Sequence, residues 1–294
     1  MKKALITLAL AFSAIATGWA QEAEADTAKS PFVGVDNIAK KEHIANKKAI
    51  PYVHVREADV MWSKTIWRII DMREKMNLPL YYPTTQESID GRKSVVKLML
   101  DAIGHGELTA YDANMGFGRE FDRRMDFAEV QKKFGAGTDT VEVQNPETGL
   151  YERKVITSDM DASLAKKLLL KEVWFFDKKY TRMDVRIISI CPIVEKADET
   201  GERIDQMLTF WVYFPELRPF LMHQEAYNAK NDAQRDSFDD LFAKRRFGSY
   251  VYSEANVYNN RTILEMASGI VDTNLEAERI KAVLFQKEHD VWEF

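Results

Sequence analysis

The fold class is decided by the stretch MDVRIISICPIV, Met183–Val194, together with MLTFWVYF, Met207–Phe214. Both stretches are rich in β-branched and aromatic residues, which is typical of strands. In the second stretch, alternate positions on both faces are apolar, so we expect its strand to be covered on both sides. Residues 197–201 (ADETG) have the composition of a turn. Together these segments predict a long central hairpin with helices packed on it.

Helices and strands are both expected on either side of this hairpin. The spacing of apolar residues predicts a helix over Glu57–Met76 and a second over Lys93–Ile103. Further helices are expected at 127–134, 216–228, 237–244 and 274–288. Another helix is expected to start from a cap at Ser158 or Asp161 and to run through Val173. Strands are expected at 108–111 and 250–253, and a hairpin joins 141–143 to 154–156. Because the two kinds of element come in mixed order, the predicted fold class is α+β.

The N-terminus has the pattern of an export signal. Lys2 and Lys3 precede the uncharged, mostly apolar run Ala4–Gly18, and Ala20 precedes Gln21. This pattern predicts a Sec-type signal peptide at residues 1–20. An uncleaved anchor is the alternative, although the run is shorter than the roughly 20 residues of a spanning helix. Residues 21–50 predict a flexible arm because their apolar residues are scattered among charges, and 51–294 predict a single folded domain.

Composition narrows the class of partner. The chain has 294 residues, 46% of them hydrophobic, and a formal net charge of −5. Loss of residues 1–20 removes two lysines and no acid, which takes the charge from −5 to −7. An acidic chain with no basic patch predicts no nucleic-acid partner. The single cysteine, Cys191, lies in an apolar strand-like run and is predicted to be a buried thiol.

Motifs of known chemistry are not found in the sequence. No two of the five histidines lie three or four residues apart, and no nucleophile elbow or phosphate-binding loop occurs. We therefore expect no catalytic, cofactor-binding or metal site, and no enzymatic activity. The run Lys244–Arg246 is read as a solvated helix end, with an anion site as the alternative. Asp159 and Asp161 are read as helix-capping residues.

Four aromatic residues are the candidate interaction residues. Trp62 and Trp67 lie five residues apart, which is too far around a helix for both to be central in one narrow stripe. Tyr81 and Tyr82 lie between Pro79 and Pro83 in a predicted loop. Rigidly held aromatic side chains are good interface anchors. Burial in the core is the alternative for each of the four.

Longer stretches resemble a known family. They are READVMWSK at 56–64, WRIIDMREKMN at 67–77, PLYYP at 79–83, GELTAY at 106–111, EVWFFD at 172–177 and MDVRII at 183–188. This set is similar to the GldN/PorN family of the type IX secretion and gliding machinery of Bacteroidota. The resemblance covers most of the chain after residue 50.

The resemblance implies a structural component of that machinery. Members are understood to form a homo-oligomeric ring with a GldK/PorK-type outer-membrane lipoprotein. They also contact the periplasmic region of a GldM/PorM-type motor protein. The implied location is the periplasm, at the inner face of the outer membrane, with membrane association only through partners. An exported hydrolase or a peptidoglycan-binding protein is the alternative.

Overall fold

The computed structural model describes residues 44, 46–84, 91–144, 151–158, 160–197, 204–228, 230–231, 233, 235–267 and 269–290. The predicted signal peptide, residues 21–43 of the predicted arm and Asp159 lie outside the described residues. The expected turns at 145–149 and 198–201 also lie outside them.

Within the described residues the chain is α+β, as predicted. The strands are β1 (Val60–Asp71), β2 (Ala110–Asp112), β3 (Arg124–Met125), β4 (Gly137–Gln144), β5 (Tyr151–Ser158), β6 (Ala165–Asp177), β7 (Arg182–Ala197), β8 (Ile204–Leu208), β9 (Phe210–Tyr213), β10 (Glu225–Ala226), β11 (Asp236–Ser237) and β12 (Tyr250–Glu254). The α-helices are α1 (Leu78–Tyr81), α2 (Val95–Gly104), α3 (Phe127–Lys133), α4 (Phe214–His223), α5 (Phe238–Ala243), α6 (Ile263–Met266) and α7 (Ile270–Asp290). Short 3-10 helices lie at Glu57–Asp59, Ala113–Met115 and Ala162–Leu164.

A large antiparallel sheet organises these elements. Its strands lie in the order β12-β1-β6-β7-β9-β2-β3, and β8 pairs with β7 as the eighth strand. The longest pairing joins β6 to β7 from Ala165 opposite Val194 to Asp177 opposite Arg182. Two small pairings, β4 with β5 and β10 with β11, form separate two-stranded sheets.

The predicted central hairpin is present, with an interruption in its second strand. β7 pairs first with β8 and then with β9, and Thr209 lies between the two. The backbone nitrogen of Thr209 donates to the carbonyl oxygen of Pro192 at 3.1 Å, and its hydroxyl donates to the same oxygen at 2.7 Å. The double contact satisfies a polar side chain that is fully buried.

The helix predicted over Glu57–Met76 is wrong, because this segment forms β1. The apolar residues Ile66, Trp67, Ile69 and Ile70 have a spacing that fits one face of a helix. It equally fits a strand with both faces buried, in which Trp67 and Ile69 point one way and Ile66 and Ile70 the other. The β-branched residues of this segment favour the strand.

The helix predicted from Ser158 or Asp161 through Val173 is also wrong. Asp161 does cap a helical turn, since its carboxylate accepts from the nitrogen of Ser163 at 2.8 Å and from its hydroxyl at 2.7 Å. That turn covers only Ala162–Leu164, and β6 follows. Leu168, Leu169 and Leu170 are consecutive and fully buried, so burial on both faces overrides the helix preference of leucine.

The remaining predicted elements form close to their expected bounds. Ser94 starts α2 by accepting from the nitrogen of Lys97 at 3.2 Å. The helices expected at 127–134, 216–228, 237–244 and 274–288 correspond to α3, α4, α5 and α7. The hairpin of β4 with β5 and the strands β2 and β12 are likewise confirmed.

Apolar side chains cover both faces of the sheet. On one face the main core packs α2, α4 and α5 against β6, β7 and β9. The α7 cluster continues this face, with Ile66 and Val251 beneath Ile280 and Leu284. On the opposite face lies the Trp67 cluster, whose buried members are Trp67, Ile69, Ala113, Leu169, Cys191, Ile193 and Trp211.

The part of the predicted arm that is described lies against α4 and α5. Lys47 donates to the hydroxyl of Ser237 at 3.3 Å and pairs with the carboxylate of Asp240. The carbonyl oxygen of Ile50 accepts from the guanidinium of Arg218 at 2.6 Å. These contacts attach residues 47–50 to the start of α5 and to α4 through polar groups, although Ile50 itself is exposed.

The basic run Lys244–Arg246 is bonded to carboxylates, unlike the solvated end that the sequence favours. Arg245 makes two parallel contacts of 2.9 and 3.0 Å with Glu172, which is fully buried in β6. Trp174 adds a hydrogen bond to Glu172 at 3.3 Å. Lys244 and Arg246 both contact Asp236. A bidentate guanidinium is the partner best suited to a buried carboxylate, so Arg245 ties the end of α5 to the sheet.

Loss of this partner is expected to be costly. Arg245→Met leaves the buried Glu172 carboxylate without its bidentate partner, so we expect the free energy of unfolding to fall by about 3–5 kcal/mol. Urea denaturation followed by circular dichroism measures the change. Lys287→Met is the control, because Lys287 and Asp290 form an exposed pair and should contribute little. Equal effects of the two substitutions would contradict the proposed importance of Arg245.

The buried thiol predicted at Cys191 is confirmed, and it should be inert. Burial raises the pKa of the Cys191 thiol to about 12, and the thiolate is the reactive form. We therefore expect no alkylation by iodoacetamide at pH 8 in the folded protein and full alkylation in denaturant, measured by intact mass. Labelling under native conditions would mean that β7 opens far more readily than its burial implies.

Candidate interaction surface

Trp67 lies in the core. Its side chain is 1% exposed, and its ring nitrogen donates to the carboxylate of Glu120 at 3.1 Å. Glu120 is itself buried and also accepts from the ammonium of Lys171 at 2.7 Å and from the nitrogen of Gly118 at 2.9 Å. This network fixes the loop after β2 to the sheet, so the core alternative describes Trp67 in the folded subunit.

Trp62 lies at the margin of the α7 cluster. It is half-buried and packs with Trp174 and Ala277 against that cluster. Residues 62 and 66 share one face of β1 because they are an even number of positions apart. Trp62 therefore packs between β1 and α7, and only part of its ring is exposed to solvent.

Tyr81 is the last residue of the short helix α1, which has Pro79 in its first turn, and Tyr82 follows it with extended backbone. Their rings meet edge to face with centroids 4.9 Å apart. The hydroxyl of Tyr81 donates to the carbonyl oxygen of Ser163 at 3.0 Å, and burial raises the pKa of this hydroxyl. The ring of Tyr82 points outward and is 56% exposed. Tyr81 thus holds the pair in place while Tyr82 offers surface.

A groove runs beside Tyr82. Its volume is about 560 Å³, within the range of ligand and peptide sites. The Tyr82–Tyr227 groove, as we call it, is lined by Lys75, Leu78, Pro79, Tyr82, Pro83, Arg92, Glu225 and Tyr227. The guanidinium of Arg92 lies 5.0 Å from the ring centroid of Tyr227, a cation–π distance. The lining is therefore mainly aromatic and proline surface with a few charged groups.

Asn77 fixes the wall of this groove to the sheet. Its amide nitrogen donates to the carbonyl oxygens of Asp71 at 2.8 Å and Gly248 at 3.0 Å. Its side-chain oxygen accepts from the nitrogen of Gly248 at 2.9 Å. A Cβ at Gly248 would lie 2.4 Å from a carboxylate oxygen of Glu74, so a larger residue there would have to displace the end of that side chain. The end of β1, α1 and the loop before β12 thus form one rigid unit.

Sequence reasoning found one side of the groove and missed the other. The sequence predicts Tyr82 as an interaction residue, whereas it places Tyr227 near the end of the helix expected at 216–228. The chain instead leaves α4 at His223 and forms β10, and Tyr227 follows that strand with its ring exposed. β10 forms by pairing with β11, which begins ten residues after Ala226, and the periodicity of apolar residues does not show such a pairing.

A second cavity of about 380 Å³ lies near α4 and α5. Its Arg218 makes contacts of 2.9 and 3.0 Å with Asp239, and the ring of Tyr52 packs over the guanidinium at 4.7 Å. Arg245, which also lines it, is held by Glu172. Both guanidinium groups are already bonded within the chain, so this cavity is a poor site for an anion.

Metal sites and membrane-spanning helices are both absent from the residues that the structure describes. No group of three or more His, Cys, Asp or Glu side chains among them is arranged to hold a metal ion. None of the helices in this part of the chain has the length and apolar content needed to span a bilayer. The Tyr82–Tyr227 groove is therefore the candidate site that the geometry favours, and its lining is suited to binding another protein.

Stability measurements separate core from surface aromatics. We expect Trp67→Ala to lower the free energy of unfolding by about 3–5 kcal/mol, because it leaves a cavity and removes a partner of the buried Glu120. Tyr82→Ala should cost about 1 kcal/mol or less, chiefly its edge-to-face contact with Tyr81. Trp62→Ala should fall between them. Chemical denaturation of the three variants gives the order, and a large loss for Tyr82→Ala would place that ring in the core.

Comparison with known proteins gives one match. Residues 55–293 match a protein family whose description is "Gliding motility associated protein GldN". The matched span starts five residues before β1 and runs beyond the end of α7, so it includes the whole large sheet and the Tyr82–Tyr227 groove. A search of curated proteins found no match.

Proposed function

Because the chain belongs to the GldN/PorN family, which makes it a component of the gliding and type IX secretion machinery, we propose that it is a structural subunit of a periplasmic ring. The single observation that carries this proposal is the family match over residues 55–293, which takes in every element of the described fold. A match of that extent supports a role for the whole domain and not for one motif.

The proposed location rests on the sequence. The predicted signal peptide at residues 1–20 supports export to the periplasm. We propose that a GldK/PorK-type outer-membrane lipoprotein then holds the chain at the inner face of the outer membrane. Under this proposal the protein needs interfaces and no lipid anchor of its own.

Ring assembly sets a requirement on the surface. A closed ring of identical subunits uses two different patches on each subunit, one on each side. The Tyr82–Tyr227 groove is suited to be one of them, since tyrosine rings on a rigid support bury large areas at low entropic cost. The fixation of α1 by Asn77 supplies that rigidity.

A structural subunit of this machine would also transmit motion. We propose that the periplasmic region of a GldM/PorM-type motor protein contacts the ring. The sheet suits transmission because β6, at its centre, is paired along its length on both sides, with β1 and β7. Close-packed protein interiors have low compressibility and therefore transmit displacement.

Copurification tests both the assembly and the groove. In cells carrying Tyr82→Ser together with Tyr227→Ser, we expect recovery of the ring with its lipoprotein to fall about tenfold or more, since central tyrosines are typical hot spots. Thermal melting of the purified variant should stay close to that of the unaltered protein. Tyr180→Ser is the matched control, because this tyrosine is similarly exposed and lies in the turn between β6 and β7.

Two results would count against these proposals separately. Normal assembly of the double variant would show that the groove is not an assembly surface. Unaltered protein that ran as a soluble monomer, with no lipoprotein, would contradict the structural role itself. That second result would favour an exported hydrolase or a peptidoglycan-binding protein.

A further inference from the structure

Helix α7 carries two apolar stripes. The first includes Ile280 and Leu284, which are buried in the α7 cluster, and the partly buried Ala277. The second faces solvent and consists of Val271, Leu275, Ala282 and Phe285. Its three larger side chains are between 64% and 71% exposed. A surface helix of a single folded domain normally has one apolar stripe, and among the described residues nothing buries the second stripe.

The second stripe has the spacing of a helix-pairing seam. The positions 271, 275, 278, 282, 285 and 289 are separated alternately by four and three residues. This is the heptad spacing in which side chains of one helix insert between those of another. With a rise of 1.5 Å per residue, the 21 residues of α7 give a seam about 30 Å long. The first stripe anchors the helix to the sheet, and the seam points away from it.

We propose that α7 binds an amphipathic helix of a different protein, and that this helix places a lysine or arginine opposite Glu278. The inference goes beyond the proposed function, because it holds whichever machinery the chain serves. The negative charge of Glu278 within the seam is the reason for choosing this occupant.

Glu278 is the informative residue. It lies at the middle of the seam, where its carboxylate contacts the ammonium of Lys281 at 2.6 Å on the same helix. A partner laid along the seam would remove this carboxylate from water, which is costly without additional partners. An arginine or lysine from the partner helix would supply them. A single charged residue in such a seam also selects its partner, as polar seam positions do in coiled coils.

A second copy of this chain is a poorer occupant. It would bring a second Glu278 into the seam, and no seam position of α7 holds a lysine or arginine. An anionic membrane surface is also disfavoured. The helix carries five acidic and three basic residues, Asp272, Glu276, Glu278, Glu288 and Asp290 against Arg279, Lys281 and Lys287. Helices that bind such surfaces are rich in lysine and arginine on their polar face.

The helix is held in a fixed position for binding. Arg279 contacts Glu276 at 2.6 Å on α7 and Glu254 of β12 at 3.3 Å. Together with the buried first stripe, this pair sets the orientation in which the seam is presented. A fixed seam loses little conformational freedom on binding.

A synthetic peptide provides the test with the full chain. The probe is a three-heptad peptide with leucine at its seam positions and arginine at the central one, and a matched peptide carries glutamate there. We expect fluorescence anisotropy to show binding of the arginine peptide and at least tenfold weaker binding of the glutamate peptide. Glu278→Arg should reverse that preference, which a non-specific apolar contact would not do.

Substitutions on the seam locate the binding. Leu275→Ser and Phe285→Ser should each weaken binding of the arginine peptide at least tenfold. Both side chains are exposed, so the melting temperature should be unchanged. Val257→Ser is the control, since Val257 is a highly exposed apolar residue outside α7.

Three results would overturn the proposal. The first is equal binding of the two peptides, or binding that Leu275→Ser leaves unchanged. The second is a dimer of the unaltered protein in sedimentation velocity that becomes monomeric in Leu275→Ser, which would make a second copy the occupant. The third is binding to phosphatidylglycerol-containing vesicles that Phe285→Ser abolishes, which would make the occupant a membrane.

Discussion

Burial of β6 and β7 on both faces is the constraint on which the rest of the structure depends. Leu168 and Leu170 face the main core, while Leu169 faces the Trp67 cluster. Because the middle of each strand is buried on both faces, other elements have to cover the sheet on both sides. Glu172 is fully buried in β6, and its charge is tolerated because Arg245 returns from the end of α5 to neutralise it. The contact also fixes where α5 lies on the sheet.

The same constraint explains which predictions from sequence succeed. Segments with one exposed face, such as α2 and α3, show a clear period and were placed within a few residues. The second half of β1 and the middle of β6 are buried on both faces, so their apolar residues do not alternate as in a half-exposed strand, and Ile66, Trp67, Ile69 and Ile70 imitate a helical stripe. Apolar residues recur with a clear periodicity only where an element has one exposed face and one buried face. Where both faces are buried, only the high content of β-branched residues indicates a strand.

The interaction surface was predictable in part for a related reason. The prolines around Tyr81 and Tyr82 mark a rigid connection between elements, and such connections run over the protein surface. Tyr227 completes the groove only because β10 pairs with β11 across the intervening residues. The second stripe of α7 is visible in its 4-3 spacing, but Ile280 and Leu284 on the opposite side of the helix obscure it in a search for one apolar face. Deciding which stripe is buried requires the tertiary contacts.

The two surfaces are connected through one strand. The first half of β1 packs under α7 through Trp62 and Ile66, and its end at Asp71 is bonded through Asn77 to the groove wall. About nine residues, or roughly 30 Å of extended chain, separate Trp62 from Asp71. Along this length β1 is paired on one side with β6, so it cannot shorten or slide without breaking a whole row of hydrogen bonds. A load applied to a helix bound at α7 would therefore reach the Tyr82–Tyr227 groove by displacement of the whole sheet.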